Sequence, residues 1–197
     1  MLIHRKSLAG VTLIELMIAI AIVGILLVTG LPEAVNWIQN TKIRSYAETI
    51  SNGLQLARAE AVRRNTSVRF QLVDSLTNSC ALAATGSNWV VSLADPSGAC
   101  DVAPSDTVAP QIVQKNSSAE GSTNVAINSG VANVVFNGLG RTNPAVDNKI
   151  QITNPTGGAC IPAGPMRCLN VEVRTGGQIR MCDPAVAAGD NRACLIP

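Results

Sequence analysis

The chain has 197 residues, of which 47% are hydrophobic, 3% aromatic and 14% charged, with a formal net charge of +2. This length suffices for one domain with its own core, built from aliphatic rather than aromatic side chains. The small net charge excludes a uniformly basic nucleic-acid-binding protein, so any such role depends on local clusters of arginine.

The first predicted element is a long apolar helix behind a short basic head. Arg5 and Lys6 precede Gly10, and residues 11–31 contain a single charge, Glu15. A run of this length, at about 1.5 Å per residue, can cross a hydrocarbon core. The basic residues place its start in the cytoplasm. A carboxylate in such a run is costly in lipid, so Glu15 is a functional candidate, and the alternative is an uncleaved signal anchor with an incidental Glu15.

The segment Gly10-Val11-Thr12-Leu13-Ile14-Glu15 resembles the class III signal of type IV pilins and type II secretion pseudopilins, with Val11 where Phe is commonest. The resemblance implies that a prepilin peptidase cleaves between Gly10 and Val11 and that Val11 is then N-methylated. It also implies that Glu15 pairs with the terminal amine of a neighbouring subunit during assembly. A buried carboxylate needs such a partner.

This resemblance divides the chain into four parts. Residues 1–10 are a cleaved leader, and residues 11–32 are the transmembrane and filament-core half of the helix. Residues 33–65 are its amphipathic half, and residues 66–197 are a periplasmic β-rich domain. Arg5 and Lys6 are two of the fifteen basic residues, so the processed chain keeps thirteen, which equals its number of acidic residues.

The amphipathic half carries an apolar stripe at steps of three or four, formed by Ile43, Tyr46, Ile50, Leu54, Ala57 and Ala61. We expect this stripe to pack on the domain and the helix to end near Arg63-Arg64-Asn65, because cations favour a helix C-terminus and Asn tolerates the left-handed cap. After Asn65 the period becomes two, which predicts strands near 68–72, 89–93, 112–114, 125–127, 131–136, 149–153, 169–173 and 178–181. The expected fold class is α+β, with a long helix packed on a C-terminal antiparallel domain of one β-sheet or two.

Two further segments resemble one particular family of these filament subunits. Residues 54–65 resemble the helix end of the GspH/FimT family, with Ala59 where Ser is frequent, and residues 135–140 resemble its ectodomain. The resemblance implies a type IV pilin-like fold and a FimT-like minor pilin. Its partners would be other minor pilins, the major pilin and the inner membrane, with final assembly into a pilus at the cell surface.

No catalytic constellation is present in the sequence, and neither a cofactor nor a metal site is expected. The only histidine, His4, lies in the leader. The cysteines Cys80, Cys100, Cys160, Cys168, Cys182 and Cys194 all follow the apolar run, where an oxidising periplasm permits disulfides. Many disulfide pairings of six cysteines are possible, and the favoured ones join cysteines that follow each other in the sequence. Zinc is disfavoured because no two cysteines have the usual short spacing.

The last two strands are predicted to form a hairpin around the turn Thr175-Gly176-Gly177, with Gly177 in the left-handed region. This register sets Val173 opposite Ile179 and Val171 opposite Met181 on a buried face. The exposed face would then carry Glu172, Arg174, Gln178 and Arg180, with Arg180 opposite Glu172.

DNA binding is an alternative function suggested by this hairpin. FimT proteins of competent bacteria carry a Gly-Arg-x-Arg motif here, which matches Gly177 to Arg180 except that Gln178 replaces the first Arg. The candidate DNA-binding residues are Arg180, Arg174, Gln178, Arg167 and Arg192. The competing interpretation is an ordinary cross-strand pair between Glu172 and Arg180.

We therefore expect a minor pilin of the tip or priming subcomplex of a type IV pilus. The first alternative is a DNA-binding tip pilin for natural transformation. The second is a GspH-type pseudopilin of a type II secretion system.

Overall fold

The structure is a computed structural model that describes residues 10–118, 124–145 and 147–196, without the side chains of residues 28–32. Apart from Gly10, the expected leader lies outside the described residues. The chain divides into two compact units, residues 1–37 and residues 38–197.

The first unit contains the beginning of helix α1, Leu13–Arg64. Its apolar side chains are largely solvent-exposed, for example Leu13, Ile20 and Ile25. Among the residues that the structure describes, no helix combines the length and the apolar character needed to cross a membrane. The finding does not bear out the membrane span expected over residues 11–32, and that span includes residues 28–32, whose side chains are not described.

In the second unit, the predicted stripe of α1 is the buried face of the helix. All six predicted residues and Ala47 are at most 3% exposed. The helix ends in two nested hydrogen bonds, in which the Thr66 N–H donates to the Ala61 carbonyl and the Asn65 N–H donates to the Val62 carbonyl. Asn65 has φ 49°, so it supplies the left-handed residue with which such a helix end closes.

In the described part of the chain, two four-stranded antiparallel sheets follow α1. Their strands are β1 (Val68–Val73), β2 (Asn88–Ser92), β3 (Ile112–Asn116), β4 (Ala126–Ser129), β5 (Asn133–Phe136), β6 (Asn148–Thr153), β7 (Leu169–Val173) and β8 (Ile179–Cys182). The first sheet has the order β3-β2-β1-β5 and the second the order β4-β6-β7-β8. Every predicted strand is present, with shifted ends. The fold is therefore α+β, as the alternation of apolar residues predicted.

The main core lies between α1 and both sheets. Phe70 and Trp89 of the first sheet contact each other with ring centroids 5.5 Å apart, and Ile152 and Val171 of the second sheet are fully buried. A smaller cluster of Val73, Cys80, Val90, Cys100 and Ile112 is separate from this core. Val73 and Val90 alternate along β1 and β2 with residues of the main core, so the central strands of the first sheet are covered on both faces.

A loop closed by the Cys160–Cys168 disulfide fastens the second sheet to α1. The side-chain oxygen of Asn40 accepts the Arg167 backbone N–H at 2.6 Å, and its amide nitrogen donates to the Pro165 carbonyl at 3.4 Å. Asn154, fully buried, donates to Gln39 at 2.7 Å. These bonds fix the position of the loop along the helix.

Candidate functional sites at the N-terminus and the C-terminal hairpin

The expected processing site lies in exposed backbone just before α1. Gly10 and Val11 precede the first helical residue, Leu13, and Val11 is 78% exposed. Among the residues that the structure describes, no heavy atom outside its chain neighbours lies within 4 Å of the position that a Gly10 Cβ would take. The expected cleavage position therefore precedes the hydrogen-bonded part of the helix.

Glu15 forms a reciprocal cap with Thr12 at the start of α1. One Glu15 carboxylate oxygen accepts the Thr12 N–H at 3.0 Å and the Thr12 hydroxyl at 2.9 Å. The Thr12 hydroxyl oxygen accepts the Glu15 N–H at 3.3 Å. This is the Thr-x-x-Glu capping box, which satisfies backbone donors that a helix start leaves free. The sequence interpretation of Glu15 as an assembly residue overlooked Thr12 as a local partner. The Thr-x-x-Glu spacing in the sequence could have predicted this cap.

The hairpin at the other end of the chain has the predicted register. Val171 pairs with Met181, Glu172 with Arg180 and Val173 with Ile179. The turn closes through the Gly177 N–H, which donates to the Arg174 carbonyl at 2.7 Å. Gly177 has φ 78°, the left-handed conformation that the three-residue turn requires.

The expectation that Glu172 lies on an exposed face is wrong. Glu172 is 0% exposed because residues 183–196, which we call the C-terminal clasp, cover this side of β7 and β8. One Glu172 carboxylate oxygen accepts the backbone N–H groups of Leu195 and Ile196 at 2.8 and 2.7 Å. The Cys182–Cys194 disulfide closes the clasp.

Arg180 holds the clasp from the neighbouring strand. Its guanidinium donates to the carbonyls of Asn191 and Ala193 at 2.9 and 2.8 Å. Glu172 and Arg180 thus face each other in the register, and both bind the backbone of the clasp. The two side chains act together to anchor the end of the chain.

The other three arginines among the DNA-binding candidates also have partners within the domain. Arg167 forms an ion pair with Asp183, which is buried. Arg174 lies 3.6 Å from Asp147. Arg192 lies 2.8 Å from Asp190 and, through hydrogen bonds to that carboxylate, lowers the pKa of Asp190 to about 2. Gln178 is exposed.

The two segments that narrowed the family resemblance meet in space. Arg58 of α1 donates to the Gly140 carbonyl at 3.1 Å. A Cβ on Gly138 would lie 2.6 Å from the Asn65 side-chain oxygen, and one on Gly177 would lie 1.8 Å from the Gly140 carbonyl oxygen. The helix end, the turn after β5 and the β7–β8 turn therefore form one close-packed junction. Arg58, which lies off the apolar stripe of α1, belongs to this junction.

The six cysteines form three disulfides between sequence neighbours. Cys80 pairs with Cys100, Cys160 with Cys168 and Cys182 with Cys194, which are the pairs that the sequence analysis favoured.

Two models of known protein families match the sequence of the chain. The sequence model described as Prokaryotic N-terminal methylation motif matches residues 5–31, and that of Type II transport protein GspH matches residues 46–177. No curated protein sequence matches the chain.

Solved structures of minor pilins and pseudopilins are similar to the chain. The type IV minor pilin FimU of Pseudomonas aeruginosa has a TM-score of 0.50 at 16% identity, covering 74% of this chain and 91% of FimU. The minor pseudopilin EpsH from the Type 2 Secretion System of Vibrio cholerae has a TM-score of 0.45 at 9% identity, covering 74% and 99%. GspH of E. coli has a TM-score of 0.44 at 15% identity, covering 79% and 94%. Since the GspH sequence model spans more than half of the chain, the chain belongs to the GspH family of minor pilins and pseudopilins, which carry an N-terminal methylation motif and assemble as filament subunits.

Proposed function

We propose that this chain is a low-abundance minor pilin of the tip or priming subcomplex of a type IV pilus. A prepilin peptidase cuts between Gly10 and Val11, and the new Val11 amine is methylated. The apolar start of α1 anchors the subunit in the inner membrane, with the domain in the periplasm, before it enters the filament core. The observation that carries the proposal is that one continuous helix, Leu13–Arg64, joins the methylation motif to the GspH domain.

The exposed apolar side chains of α1 support a role in assembly. Leu13, Ile20 and Ile25 are between 64% and 76% exposed in the isolated chain. An apolar surface of this extent marks contact with other proteins or with lipid. In the proposed cycle, lipid covers it first and the helices of neighbouring subunits cover it in the filament.

Glu15 is the proposed assembly residue because its carboxylate can exchange partners. In the isolated subunit it caps its own helix through Thr12. A capping interaction is worth about 1 kcal/mol, whereas an ion pair in a dry filament core is far stronger than in water. The N-terminal amine of an adjacent subunit is therefore a competitive partner.

The test follows the full chain in a piliated strain that lacks its own copy. We expect the mature protein to lose residues 1–10 and to gain one methyl group, which intact mass measures. Glu15→Ala should still be cleaved but should be absent from sheared filaments. Glu48→Ala is the matched control, because it removes an exposed helix carboxylate whose partner is Arg44.

Three outcomes contradict the proposal. The first is an uncleaved chain in the presence of the peptidase, and the second is Glu15→Ala in filaments at the wild-type level. The third is a deletion that abolishes enzyme export but leaves surface pili intact, which would assign the chain to a type II secretion filament.

A further inference from the structure

Trp37, near the middle of α1, is a large aromatic side chain that is exposed to solvent. The chain has two Trp, one Tyr and two Phe, and the structure describes all of them. Tyr46, Phe70, Trp89 and Phe136 are at most 3% exposed, whereas Trp37 is 71% exposed. Because an indole carries a large apolar surface, a surrounding less polar than water would stabilise Trp37.

The sequence around Trp37 is the place where the apolar run of α1 gives way to polar residues. Residues 16–32 contain no charge, Glu33 lies one helical turn before Trp37, and Lys42 is the next charged residue after it. Glu33 and Trp37 are both exposed, and their spacing of four places them on one side of the helix. This side therefore presents a carboxylate that needs water next to an indole that favours a less polar surrounding. Trp is enriched at the boundary between hydrocarbon and water, where both needs are met.

The length of α1 up to Trp37 agrees with such a boundary position. The helix rises about 36 Å between Leu13 and Trp37, at about 1.5 Å per residue. A tilt of about 20°, which is common for helices in membranes, reduces this to about 34 Å along the bilayer normal. The result exceeds the hydrocarbon core of about 30 Å and stays within the roughly 40–45 Å that includes both headgroup layers. When Leu13 lies at one edge of the hydrocarbon, Trp37 therefore lies in the opposite headgroup layer.

We propose that Trp37 is an interfacial anchor, whose indole lies among the lipid headgroups on the periplasmic side of the inner membrane before the subunit enters the filament. The inference rests on the proposed function, because it requires that the start of α1 lies in the membrane. The apolar part of the ring contacts the upper ends of the acyl chains, and the indole N–H donates to water or to a lipid oxygen. Glu33 stays solvated in the same headgroup layer.

The same anchor sets the depth of Glu15 at the other end of the helix. Glu15 and Trp37 are separated by about 33 Å of helix, or about 31 Å along the normal at the same tilt. With Trp37 in the periplasmic headgroup layer, Glu15 lies near the cytoplasmic edge of the hydrocarbon. A charged side chain is much less costly there than at the bilayer centre. Trp37 thus holds α1 at a depth that the lone carboxylate of the apolar run tolerates.

A neighbouring subunit is the competing occupant of this side of the helix. A dry protein contact over Trp37 would also cover Glu33, because the two residues share one side of α1. Burying a carboxylate without a charged partner is costly. The headgroup layer is hydrated and avoids this cost, so the lipid interface is the occupant that these residues favour.

Tryptophan fluorescence in vesicles with brominated lipids measures the depth of Trp37. The full chain and its Trp37→Phe variant are reconstituted in phosphatidylcholine–phosphatidylglycerol vesicles, with bromines either near the headgroup or near the methyl end of the acyl chains. The wild-type signal minus that of Trp37→Phe isolates Trp37, because the other tryptophan, Trp89, is buried in the domain. We expect bromines near the headgroup to quench this difference signal at least about twofold more strongly than bromines near the chain ends. Its emission should lie at a shorter wavelength than that of an indole in water.

Ile22→Trp in the Trp37→Phe background is the matched control for insertion of α1. Ile22 is an exposed residue in the middle of the apolar run, so bromines near the chain ends should quench this reporter most strongly. If the reporter is quenched while Trp37 keeps the emission of an indole in water, the interfacial anchor is wrong, membrane anchoring stands, and a neighbouring subunit is the occupant. Stronger quenching of Trp37 by bromines near the chain ends would also overturn the proposal. Quenching of neither residue would overturn membrane anchoring itself together with the interfacial anchor.

Discussion

At the scale of single residues, Gly177 is the position with least tolerance for a side chain. Its φ of 78° is strained for other residues, and a Cβ there would lie 1.8 Å from the Gly140 carbonyl oxygen. We expect Gly177→Ala to lower the free energy of unfolding by at least about 2 kcal/mol, because backbone strain and a backbone clash act together. Urea unfolding followed by circular dichroism measures this.

The neighbouring glycine provides the control. No atom lies within 4 Å of a Cβ on Gly176. Gly176→Ala should therefore stay within about 0.5 kcal/mol of the wild type, as ordinary surface substitutions do. Equal losses for the two variants would contradict the close-packed junction between the β7–β8 turn and Gly140.

Single residues also show which features of the hairpin the sequence could predict and which it could not. The alternation of Val171 and Val173 with Glu172 predicted the register correctly. The same alternation assigned Glu172 to solvent, because period two separates the two faces of a strand and says nothing of what covers each. The clasp contains four Ala and two Asp among its fourteen residues and lacks a periodic apolar pattern, so its position over Glu172 was not predictable from the sequence.

At the scale of elements, the end of α1 is held by a charged network. Glu60 lies 2.7 Å from both Arg63 and Arg64, and Arg64 also reaches Asp106 at 2.5 Å. Hydrogen bonds from Arg63 first, and from Arg64, hold the pKa of the Glu60 carboxyl below its ordinary value. The network joins the helix end to the loop before β3, which the family motif alone did not indicate.

This network predicts a pH-dependent stability. Since the folded-state pKa of Glu60 is depressed, its contribution is fully present above the unfolded pKa of about 4.3 and is lost as the pH falls through the lower folded value. Glu60→Gln should thus be less stable than the wild type by about 1–2 kcal/mol at pH 7, with the difference shrinking below about pH 4.

Thermal unfolding of both proteins between pH 3 and pH 7 measures the effect. Glu48→Gln is the control, because the Arg44–Glu48 pair has side chains that are 72% and 51% exposed. Exposed pairs of this kind contribute little at any pH. A Glu60→Gln difference that persists unchanged at pH 3 would contradict the role of the ionised carboxylate.

The elements themselves were largely predictable. The stripe from Ile43 to Ala61 has the helical period and is buried, and every strand shows alternation or a short apolar run. The assignment of strands to two sheets was not predictable, because β4 pairs with β6 and β5 pairs with β1 across intervening segments. Short strands of similar composition carry no signal that selects among such partners.

At the scale of the whole molecule, the distribution of charge bears on the DNA-binding alternative. Arg180, Arg167, Arg174 and Arg192 lie on or near the hairpin, but each has a carbonyl or carboxylate partner within the domain. Binding to DNA releases counterions in proportion to the phosphates that cations contact, which gives a steep dependence on salt. Arginines already engaged inside the fold would lose these contacts in order to bind phosphate.

We therefore expect the full chain to show no salt-dependent DNA affinity that depends on Arg180. Arg180→Gln should instead loosen the C-terminal clasp, because two hydrogen bonds to the backbone of Asn191 and Ala193 disappear. Hydrogen exchange of residues 191–196 should become faster, while that of β6 and β7 stays unchanged. Arg174→Gln is the control, since its partner Asp147 lies outside the clasp and at the longer distance of 3.6 Å.

The two measurements separate the two roles of the hairpin. A DNA titration over a range of salt concentrations is run beside the hydrogen-exchange experiment. DNA binding and closure of the clasp predict opposite results in these two measurements. A wild-type affinity that falls with salt, together with a shallower slope for Arg180→Gln and unchanged exchange in the clasp, would establish a DNA-binding surface. Faster exchange without any salt-dependent binding assigns Arg180 to the closure of the fold rather than to a surface that binds phosphate.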